Sequence, residues 1–228
     1  MKLDCETCPV RERAACAALN DNERVELARL GNSRSFERGE TVFSAGDSLD
    51  FCATLTEGLL KVSHFDEDGN ERILSLVHPA GFVGEMFAPI ANHDVIALTH
   101  SRLCIFTRPD YESAIDRFPA LAKALLRRSA EDLFDARSQI ALDSKRSASA
   151  KVANLLYALG RAASHSPCHV AEQFDLPLTR GEMAGFLGLT IETVSRQLTK
   201  LERDGVIERT STRGVHLLDA ARLEALGG

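Results

Sequence analysis

The sequence lacks any apolar run of the roughly 18 to 20 residues that a helix needs to cross a lipid bilayer. Its first five residues, Met-Lys-Leu-Asp-Cys, contain none of the apolar core of a secretion signal. We therefore expect a cytoplasmic protein that makes no membrane contact. In that reducing compartment its six cysteines are expected to be thiols or metal ligands rather than disulfides.

Paired histidines of the form His-x-His are also missing. Metal-dependent enzymes built on a jelly roll place clustered histidines on facing strands, whereas His64, His78, His93 and His100 are scattered. We expect these four to be surface residues and the protein not to be an enzyme. A jelly-roll enzyme is the distant alternative.

An overall excess of basic residues is missing as well, because the 228 residues carry a net charge of −6. Residues 1–143 contain 16 Lys or Arg and 24 Asp or Glu, a net charge of −8. Residues 144–228 contain 11 and 9, a net charge of +2. Of the two parts, only the second can approach phosphate groups without strong repulsion.

Three cysteines lie close together in an N-terminal segment, residues 1–18. Cys5, Cys8 and Cys16 have the spacing C-x2-C-x7-C. Thiols placed so densely in a reducing compartment typically bind either zinc or an iron–sulfur cluster. Both need four ligands, so the segment alone is one ligand short.

The fourth ligand must come from elsewhere in the chain. Cys104, in the run Leu-Cys-Ile-Phe just before a long helix, is the best placed. Cys52 lies in a strand-like run, where a buried thiol behaves as a small apolar side chain. Cys168 lies beyond the long helix, and we predict that both it and Cys52 are dispensable.

Short β-rich runs fill the middle of the chain and are separated by glycines at intervals of 7 to 12 residues. Turn signals at this spacing predict an antiparallel β-barrel or jelly roll, which we place at residues 19–118. The polar stretch at residues 66–70 separates two such runs and predicts a hairpin.

A long helix is predicted at residues 119–143, since proline is tolerated at a helix start. Large apolar residues recur every seven positions, with small residues beside them. The predicted interface residues are Leu126, Ser129, Leu133, Ala136 and Ile140. This spacing is typical of a coiled-coil seam and predicts a homodimer.

Asp132 and Arg137 flank this seam, where the acid of one helix would meet the base of its twin and set the register. The alternative is a helix that packs its stripe onto its own domain. Phe134 lies off the seam and is expected to pack in that way.

Residues 144–228 are predicted to form a separate domain. A polar break at residues 144–149 indicates a hinge, and a helix is expected at residues 150–163. Thr179 and Glu182 then form a capping box, Gly188 ends that helix, and Thr190 caps the next. Two short helices joined by a Gly-containing turn indicate a helix-turn-helix, and the β-rich runs at residues 206–208 and 215–218 predict the hairpin of a winged helix.

The second helix has a polar face that can enter a DNA groove, opposite a predicted buried stripe of Ile191, Val194, Leu198 and Leu201. Arg can donate two hydrogen bonds to guanine, Glu can accept one from cytosine, and Ser suits several base edges. The predicted DNA-contacting residues are Glu192, Ser195, Arg196, Thr179, Arg180, Thr190, Thr193, Lys200 and, for phosphate, Arg213 at the hairpin tip. A merely solvated helix face is the alternative.

The order of these parts resembles the superfamily of the cyclic-AMP receptor protein and the fumarate and nitrate reductase regulator over nearly the whole chain. Four short motifs of the predicted barrel resemble landmarks of the superfamily's barrel: Glu57-Gly58, Asp68-Gly69, Ile73-Leu74-Ser75 and Gly84-Glu85. Residues 192–196 resemble the motif of the superfamily's recognition helix. The resemblance implies an α+β protein with an N-terminal antiparallel β-barrel or jelly-roll sensor domain, a long dimerisation helix and a C-terminal winged helix-turn-helix domain. Double-stranded DNA and RNA polymerase are the implied partners.

In this superfamily a cyclic nucleotide needs an Arg-Ser pair after the Gly-Glu to hold its phosphate. No Arg lies between residues 84 and 101, so we expect no cyclic nucleotide to bind.

The cysteines resemble those of oxygen-sensing regulators of the fumarate and nitrate reductase type, in particular their α-proteobacterial branch. This resemblance implies a [4Fe-4S] cluster held by Cys5, Cys8, Cys16 and Cys104, with dimerisation when the cluster is intact. It also implies loss of DNA binding when oxygen degrades the cluster, and a palindromic site similar to TTGAT-N4-ATCAA. The alternative is a winged-helix transcription regulator with a structural zinc on the four thiols and a different effector.

Overall fold

A computed structural model of the chain describes residues 3–85, 88–143, 146–164 and 169–228. The chain divides into two compact units, residues 1–136 and 137–228. The first contains a mixed helix and sheet arrangement built around antiparallel strands, and the second contains a helix-turn-helix. The predicted α+β fold class is therefore confirmed.

Among the described residues of the first unit, a 3₁₀ turn and one helix precede eight strands, and two helices follow, the second of which continues past residue 136 into the other unit. The bounds are Ala15–Ala18 for the 3₁₀ turn, Asp21–Leu30 for α1, Gly31–Phe36 for β1, Thr41–Phe43 for β2, Phe51–Glu57 for β3, Leu60–Phe65 for β4, Glu71–Val77 for β5, Phe82–Val83 for β6, Asp94–Ala97 for β7, Ser101–Thr107 for β8, Arg108–Arg117 for α2 and Pro119–Asp143 for α3. The hairpin predicted around residues 66–70 is the β4–β5 connection. Helices α1 and α2 were not predicted.

The strands form two four-stranded antiparallel sheets, in the orders β1-β8-β3-β6 and β2-β7-β4-β5. Inward side chains of both sheets, among them Leu55, Leu60 and Leu103, are fully buried in one core. Because side chains alternate along a strand, Cys52 and Cys104 lie on the outer face of the first sheet.

A second apolar cluster covers that outer face. Leu27 of α1, Tyr111 of α2 and Leu121 of α3 are buried there, and Cys52 and Cys104 pack in the same cluster. The helices therefore lie on the side of the barrel that carries the cysteines.

Gly58, one of the residues that resemble the superfamily, has a steric reason to be glycine. Its φ of 95° lies in the left-handed region, and a Cβ would come within 2.4 Å of the His100 carbonyl oxygen. A side chain at this position would clash with that backbone and force the β3–β4 turn away from the start of β8.

The second unit contains the predicted helix-turn-helix and wing. Its elements are α4 Ala148–Ala163, β9 Gln173–Asp175, α5 Arg180–Leu187, α6 Ile191–Arg203, β10 Ile207–Arg209, β11 Gly214–Leu217 and α7 Ala220–Gly227. The sheet order is β10-β11-β9, so a third strand that was not predicted extends the wing hairpin.

Helix α4 begins two residues earlier than predicted. The Ser147 hydroxyl accepts a hydrogen bond from the Ala150 N–H at 3.2 Å, which caps the helix within the stretch that had been interpreted as a hinge. Residues 144 and 145 of the predicted hinge, and Cys168, lie outside the described residues.

The barrel also contains a buried ion pair that tests its packing. Lys61 Nζ lies 2.7 Å from Glu71 Oε1, with the two side chains 7% and 22% exposed. We predict that Lys61→Met costs about 3 kcal/mol in the free energy of unfolding, because the buried carboxylate loses its counter-charge. The Lys61→Met/Glu71→Leu double variant should recover most of that loss, as measured by urea denaturation; an equally unstable double variant would contradict the argument.

Candidate nucleic-acid interface and cysteine site

Local hydrogen bonds fix the start of α5 and the start of α6, and a glycine forms the turn between them. The Thr179 hydroxyl accepts from the Glu182 N–H, and the Glu182 carboxylate accepts from the Thr179 N–H at 2.8 Å, which completes the predicted capping box. Gly188 ends α5 with a φ of 62°, a conformation that favours glycine. The Thr190 hydroxyl then accepts from the Thr193 N–H and starts α6.

The predicted base-reading residues lie together on one face of α6, next to the start of α5. Arg180 Nη1 donates to Ser195 Oγ at 3.5 Å, and Arg196 Nη2 donates to Thr193 Oγ1 at 3.4 Å. Hydrogen bonds from its own backbone N–H and from the Thr190 hydroxyl lower the pKa of Glu192, so this carboxylate is ionised at neutral pH. The face therefore offers both donors and an acceptor to a DNA groove.

The buried side of α6 differs from the prediction at one position. Val194, Leu198 and Leu201 are buried, but Ile191 is 51% exposed. Ile191 faces Gly181 of α5, which has no side chain to cover it. The prediction that Ile191 is buried was therefore wrong.

An open groove runs along the exposed face of α6. Its lining residues are Ser195, Arg196, Gln197, Thr199, Lys200 and Arg203. Gln197 and Arg203 were missed by the sequence argument. The signal for Arg203 was its spacing of seven residues from Arg196, which places both on one side of a helix.

Arg213 lies between β10 and β11, at the predicted tip of the wing. The Ser211 hydroxyl accepts from the Arg213 N–H at 3.2 Å, and the Arg213 carbonyl accepts from the Leu176 N–H at 2.8 Å. Hydrogen bonds on both sides thus hold the backbone of Arg213 in place, which limits the positions that its guanidinium can reach.

The four cysteines predicted to bind a metal centre lie in the first unit and are free thiols. Cys104 occupies the middle of β8, opposite Ser33 on one side and Thr54 on the other. Cys8 and Cys16 pack beside Val10 and Ala14, and Cys16 also packs in the cluster that contains Cys104.

The ionisation of these thiols is coupled. Burial raises the pKa of Cys104, and negative charges on Cys5, Cys16 and Cys8 raise it further. Burial raises the pKa of Cys16 to about 11, and the charges of Cys5 and Cys8 add to the rise. A bound cation would relieve this repulsion, so a four-thiol donor set in this place suits an iron–sulfur cluster or zinc.

Within residues 3–85, 88–143, 146–164 and 169–228, no three His, Cys, Asp or Glu side chains lie close enough together to hold a single metal ion. The ligand set Cys5, Cys8, Cys16 and Cys104 therefore stays a prediction. Tyr111, which the sequence argument missed, is buried in the cluster that contains Cys16, Cys52 and Cys104. Burial raises the pKa of Tyr111, and negative charge on Cys52, Cys16 and Cys104 raises it further.

The interface predicted on α3 is uncovered in the single chain. Leu126 is 73% exposed and Leu133 is 51% exposed, while Ser129 and Ala136 are also exposed. In the described part of the stripe, residues 126–136, these side chains do not pack onto their own domain, which contradicts the alternative there; the dimer interface itself stays a prediction. The side chain of Ile140 lies outside the described residues.

Two details of α3 differ from the prediction. Phe134, expected to pack on its own domain, is 70% exposed. Asp132, expected to pair with Arg137 of a twin helix, accepts from Arg128 Nε of its own helix at 3.1 Å. A pair four residues apart forms without a partner chain, and it competes with the predicted contact.

Two family models match this chain. The Crp-like helix-turn-helix domain matches residues 150–226, and the Cyclic nucleotide-binding domain matches residues 33–118. The chain is also 37% identical over 222 residues to the transcriptional activator protein FnrL of Cereibacter sphaeroides, covering 96% of this chain and 90% of that protein. The chain belongs to the Crp/FNR family of transcriptional regulators.

Further comparisons agree with this membership. The nitrogen fixation regulation protein FixK of Bradyrhizobium diazoefficiens is 34% identical over 223 residues, which is 97% of this chain and 93% of FixK. The structure of FixK2 from Bradyrhizobium japonicum has a TM-score of 0.76 at 23% identity, over 87% of this chain and 98% of that one, and shares the fold. Proteins of this family are regulators, so the expectation that the chain is not an enzyme is confirmed. No helix within the described part of the chain is long and apolar enough to span a membrane.

The geometry of α6 predicts a base-reading role for Arg196. Arg196→Ala should weaken binding by about 1 to 3 kcal/mol per half-site and relax the preference for G at one position. Titration of the protein against duplexes that differ at that base measures the effect. If the variant keeps the wild-type discrimination, the assignment is wrong.

Arg213 supplies a contrast on the same domain. Arg213→Ala should weaken binding to all duplexes alike and make it less dependent on salt, because a phosphate contact carries no sequence information. Titrations at several salt concentrations measure the slope. A loss confined to one base position would contradict the phosphate assignment.

Proposed function

We propose that this protein is a homodimeric transcription regulator whose [4Fe-4S] cluster, bound by Cys5, Cys8, Cys16 and Cys104, makes its DNA binding responsive to oxygen. The site is a palindrome similar to TTGAT-N4-ATCAA, and RNA polymerase is a partner. FnrL is named a transcriptional activator, which supports activation as the outcome. The observation that carries the proposal is that Cys16 packs in the same buried cluster as Cys104 of the barrel, and that Cys8 packs next to Cys16.

Burial raises the pKa of Cys104 and Cys16, and neighbouring negative charge raises it further, so both thiols stay protonated at neutral pH unless a bound cation stabilises their thiolate forms. The bound group would supply that positive charge and the sensitivity to oxygen. Two features of the chain support the proposal: Cys16 and Cys104 pack in one cluster with Leu27 of α1, and the chain runs directly from Cys104 through α2 to α3.

Cyclic nucleotide is not the proposed effector. Glu85, in the Gly-Glu pair that resembles the superfamily's pocket, accepts a hydrogen bond from Asn92 Nδ2 and lies 3.4 Å from His93 Nδ1. These two residues occupy the region where an Arg-Ser pair would hold the phosphate. Glu85 therefore has partners among its neighbours, and the sequence from residue 84 to residue 101 contains no Arg that could bind a phosphate.

The first test is the visible spectrum of protein purified without oxygen. A cluster protein is brown, whereas zinc on the same four thiols leaves it colourless. A colourless wild-type protein with one bound zinc per chain would overturn the cluster and establish the structural-zinc alternative.

Cys52 provides a matched control for the ligand set, because it lies on the same outer sheet face as Cys104, one strand away. We predict that Cys104→Ser loses most of its iron and sulfide after anaerobic reconstitution and that Cys52→Ser retains them. Serine variants of Cys5, Cys8 and Cys16 should behave as Cys104→Ser does. Full iron and sulfide content in Cys104→Ser would remove that residue from the set.

The exposed stripe of α3 supplies a second matched pair. Leu133 and Val25 are 51% and 52% exposed, but only Leu133 lies on the proposed interface. We predict that Leu133→Glu raises the dimer dissociation constant about a hundredfold, equivalent to about 3 kcal/mol, whereas Val25→Glu leaves it unchanged. Sedimentation across a concentration series measures both.

The same measurement tests how oxygen acts. Loss of the cluster in air should convert wild-type dimer to monomer and reduce DNA affinity, because both half-sites must be bound together. If air-exposed protein loses its cluster and stays fully dimeric at micromolar concentration, the signal instead reorients the DNA-binding domains within a permanent dimer.

A further inference from the structure

Arg24 of α1 is a charged residue buried beside the cysteine segment. The residue is 9% exposed. Its Nη2 donates to the Leu19 carbonyl at 3.0 Å and its Nε to the Cys16 carbonyl at 3.4 Å. A buried guanidinium is costly unless it is hydrogen-bonded, so these contacts fix the backbone that they meet.

The third arm of the guanidinium continues the network. Nη1 of Arg24 lies 3.4 Å from Asp21 Oδ1, and the same oxygen accepts from Arg11 Nη2 at 3.0 Å. Arg11 lies between Cys8 and Cys16 in the chain. These contacts therefore connect Arg11 and Cys16 of the cysteine segment to the first turn of α1. A capping box of Asn20 and Glu23 holds the start of that helix.

Apolar packing supports the same segment from the other side. Val10 and Ala14 are 1% and 5% exposed and pack against Ala80 of the barrel. The segment, although short and polar, therefore packs on the barrel without a bound cluster.

The 3₁₀ turn at Ala15–Ala18 joins this segment to Leu19, which is 3% exposed, and the Leu19 N–H donates to the Cys16 carbonyl at 3.2 Å. Arg24 binds the carbonyls at the two ends of this turn and so adds the charged contact that its apolar packing lacks.

We infer that Arg24 is a positioning residue, which holds Cys16 against the barrel before any cluster is bound and places a positive charge beside the cysteine thiols. The first half of this inference stands on the cluster-free chain. The second half rests on the proposed function, because it concerns the charge of a cluster bound by four thiolates.

Two substitutions separate the hydrogen bonds from the charge. Arg24→Gln removes the charge and the three-armed donor, whereas Arg24→Lys keeps the charge and loses the planar donor set that reaches both carbonyls. Arg29→Gln is the matched control, since Arg29 lies in the last turn of the same helix and is exposed. Each variant should keep α1, whose capping box is untouched.

The first measurement uses cluster-free protein and trypsin, which cleaves after the exposed Arg13. Loss of two charge-assisted hydrogen bonds should increase local opening, so we expect cleavage of the Arg13–Ala14 bond about 10- to 100-fold faster in Arg24→Gln and Arg24→Lys than in wild type. Arg29→Gln should match wild type. If Arg24→Gln is cleaved no faster than Arg29→Gln, the positioning role is wrong.

The second measurement is the midpoint potential of anaerobically reconstituted protein for one electron supplied by an electrode. Without the positive charge of Arg24 the reduced form of the cluster is less stable. We therefore expect Arg24→Gln to shift the reduction equilibrium about tenfold towards the oxidised form, which lowers the midpoint potential by about 59 mV. Arg24→Lys should stay near the wild-type potential, an outcome that a purely structural role would not produce. Equal potentials in Arg24→Gln and wild type would overturn the electrostatic half.

The two arms keep this inference distinct from the proposed function. If wild-type protein takes up no iron and sulfide, the proposed cluster and the electrostatic half of the inference are both overturned. The cleavage rates of the cluster-free variants then still decide whether Arg24 positions Cys16.

Discussion

The register of strand β8 is the constraint on which the rest of the first unit depends. This strand pairs with both β1 and β3, so its position is set from two sides. Leu103 is thereby turned into the core and Cys104 out towards α1 and α2. A slip of one residue would exchange the two, since side chains alternate along a strand. The same strand ends at Thr107, whose hydroxyl caps α2, so one register fixes both the position of Cys104 and the start of α2.

The parts of the molecule that could be predicted from sequence are those fixed by neighbours in the chain. The capping box of Thr179 and Glu182 joins residues three apart, and the turn at Gly188 needs only its own backbone conformation. The hairpin at residues 66–70 is equally local. Helix α1 carried the same kind of signal in Asn20 and Glu23, and it could have been found in that way.

What could not be predicted depends on residues distant in the chain. Ile191 has the periodicity of a buried residue but is 51% exposed, and Gly181 of α5, which lies beside it, has no side chain to cover it. Arg24 reads as an ordinary helix surface charge, because its carbonyl partners become visible only when the preceding segment folds back. Tyr111 becomes part of the cysteine surroundings by packing between α2 and the sheet. The ligand set itself was reached by resemblance and spacing, since no local rule connects residue 16 to residue 104.

If the exposed face of α3 is the interface of the proposed dimer, binding to a promoter depends on the amount of the protein in the cell as well as on the oxygen signal. In the proposed dimer two chains must meet before both half-sites can be engaged, so at low abundance the occupied fraction of a promoter rises with the square of the chain concentration. A twofold change in synthesis would then change occupancy about fourfold, and a promoter of the regulator's own gene would respond in the same way. Through Leu126, Leu133 and Phe134, which are exposed on the single chain, the proposed dimer would thus respond to the abundance of the protein as well as to the signal.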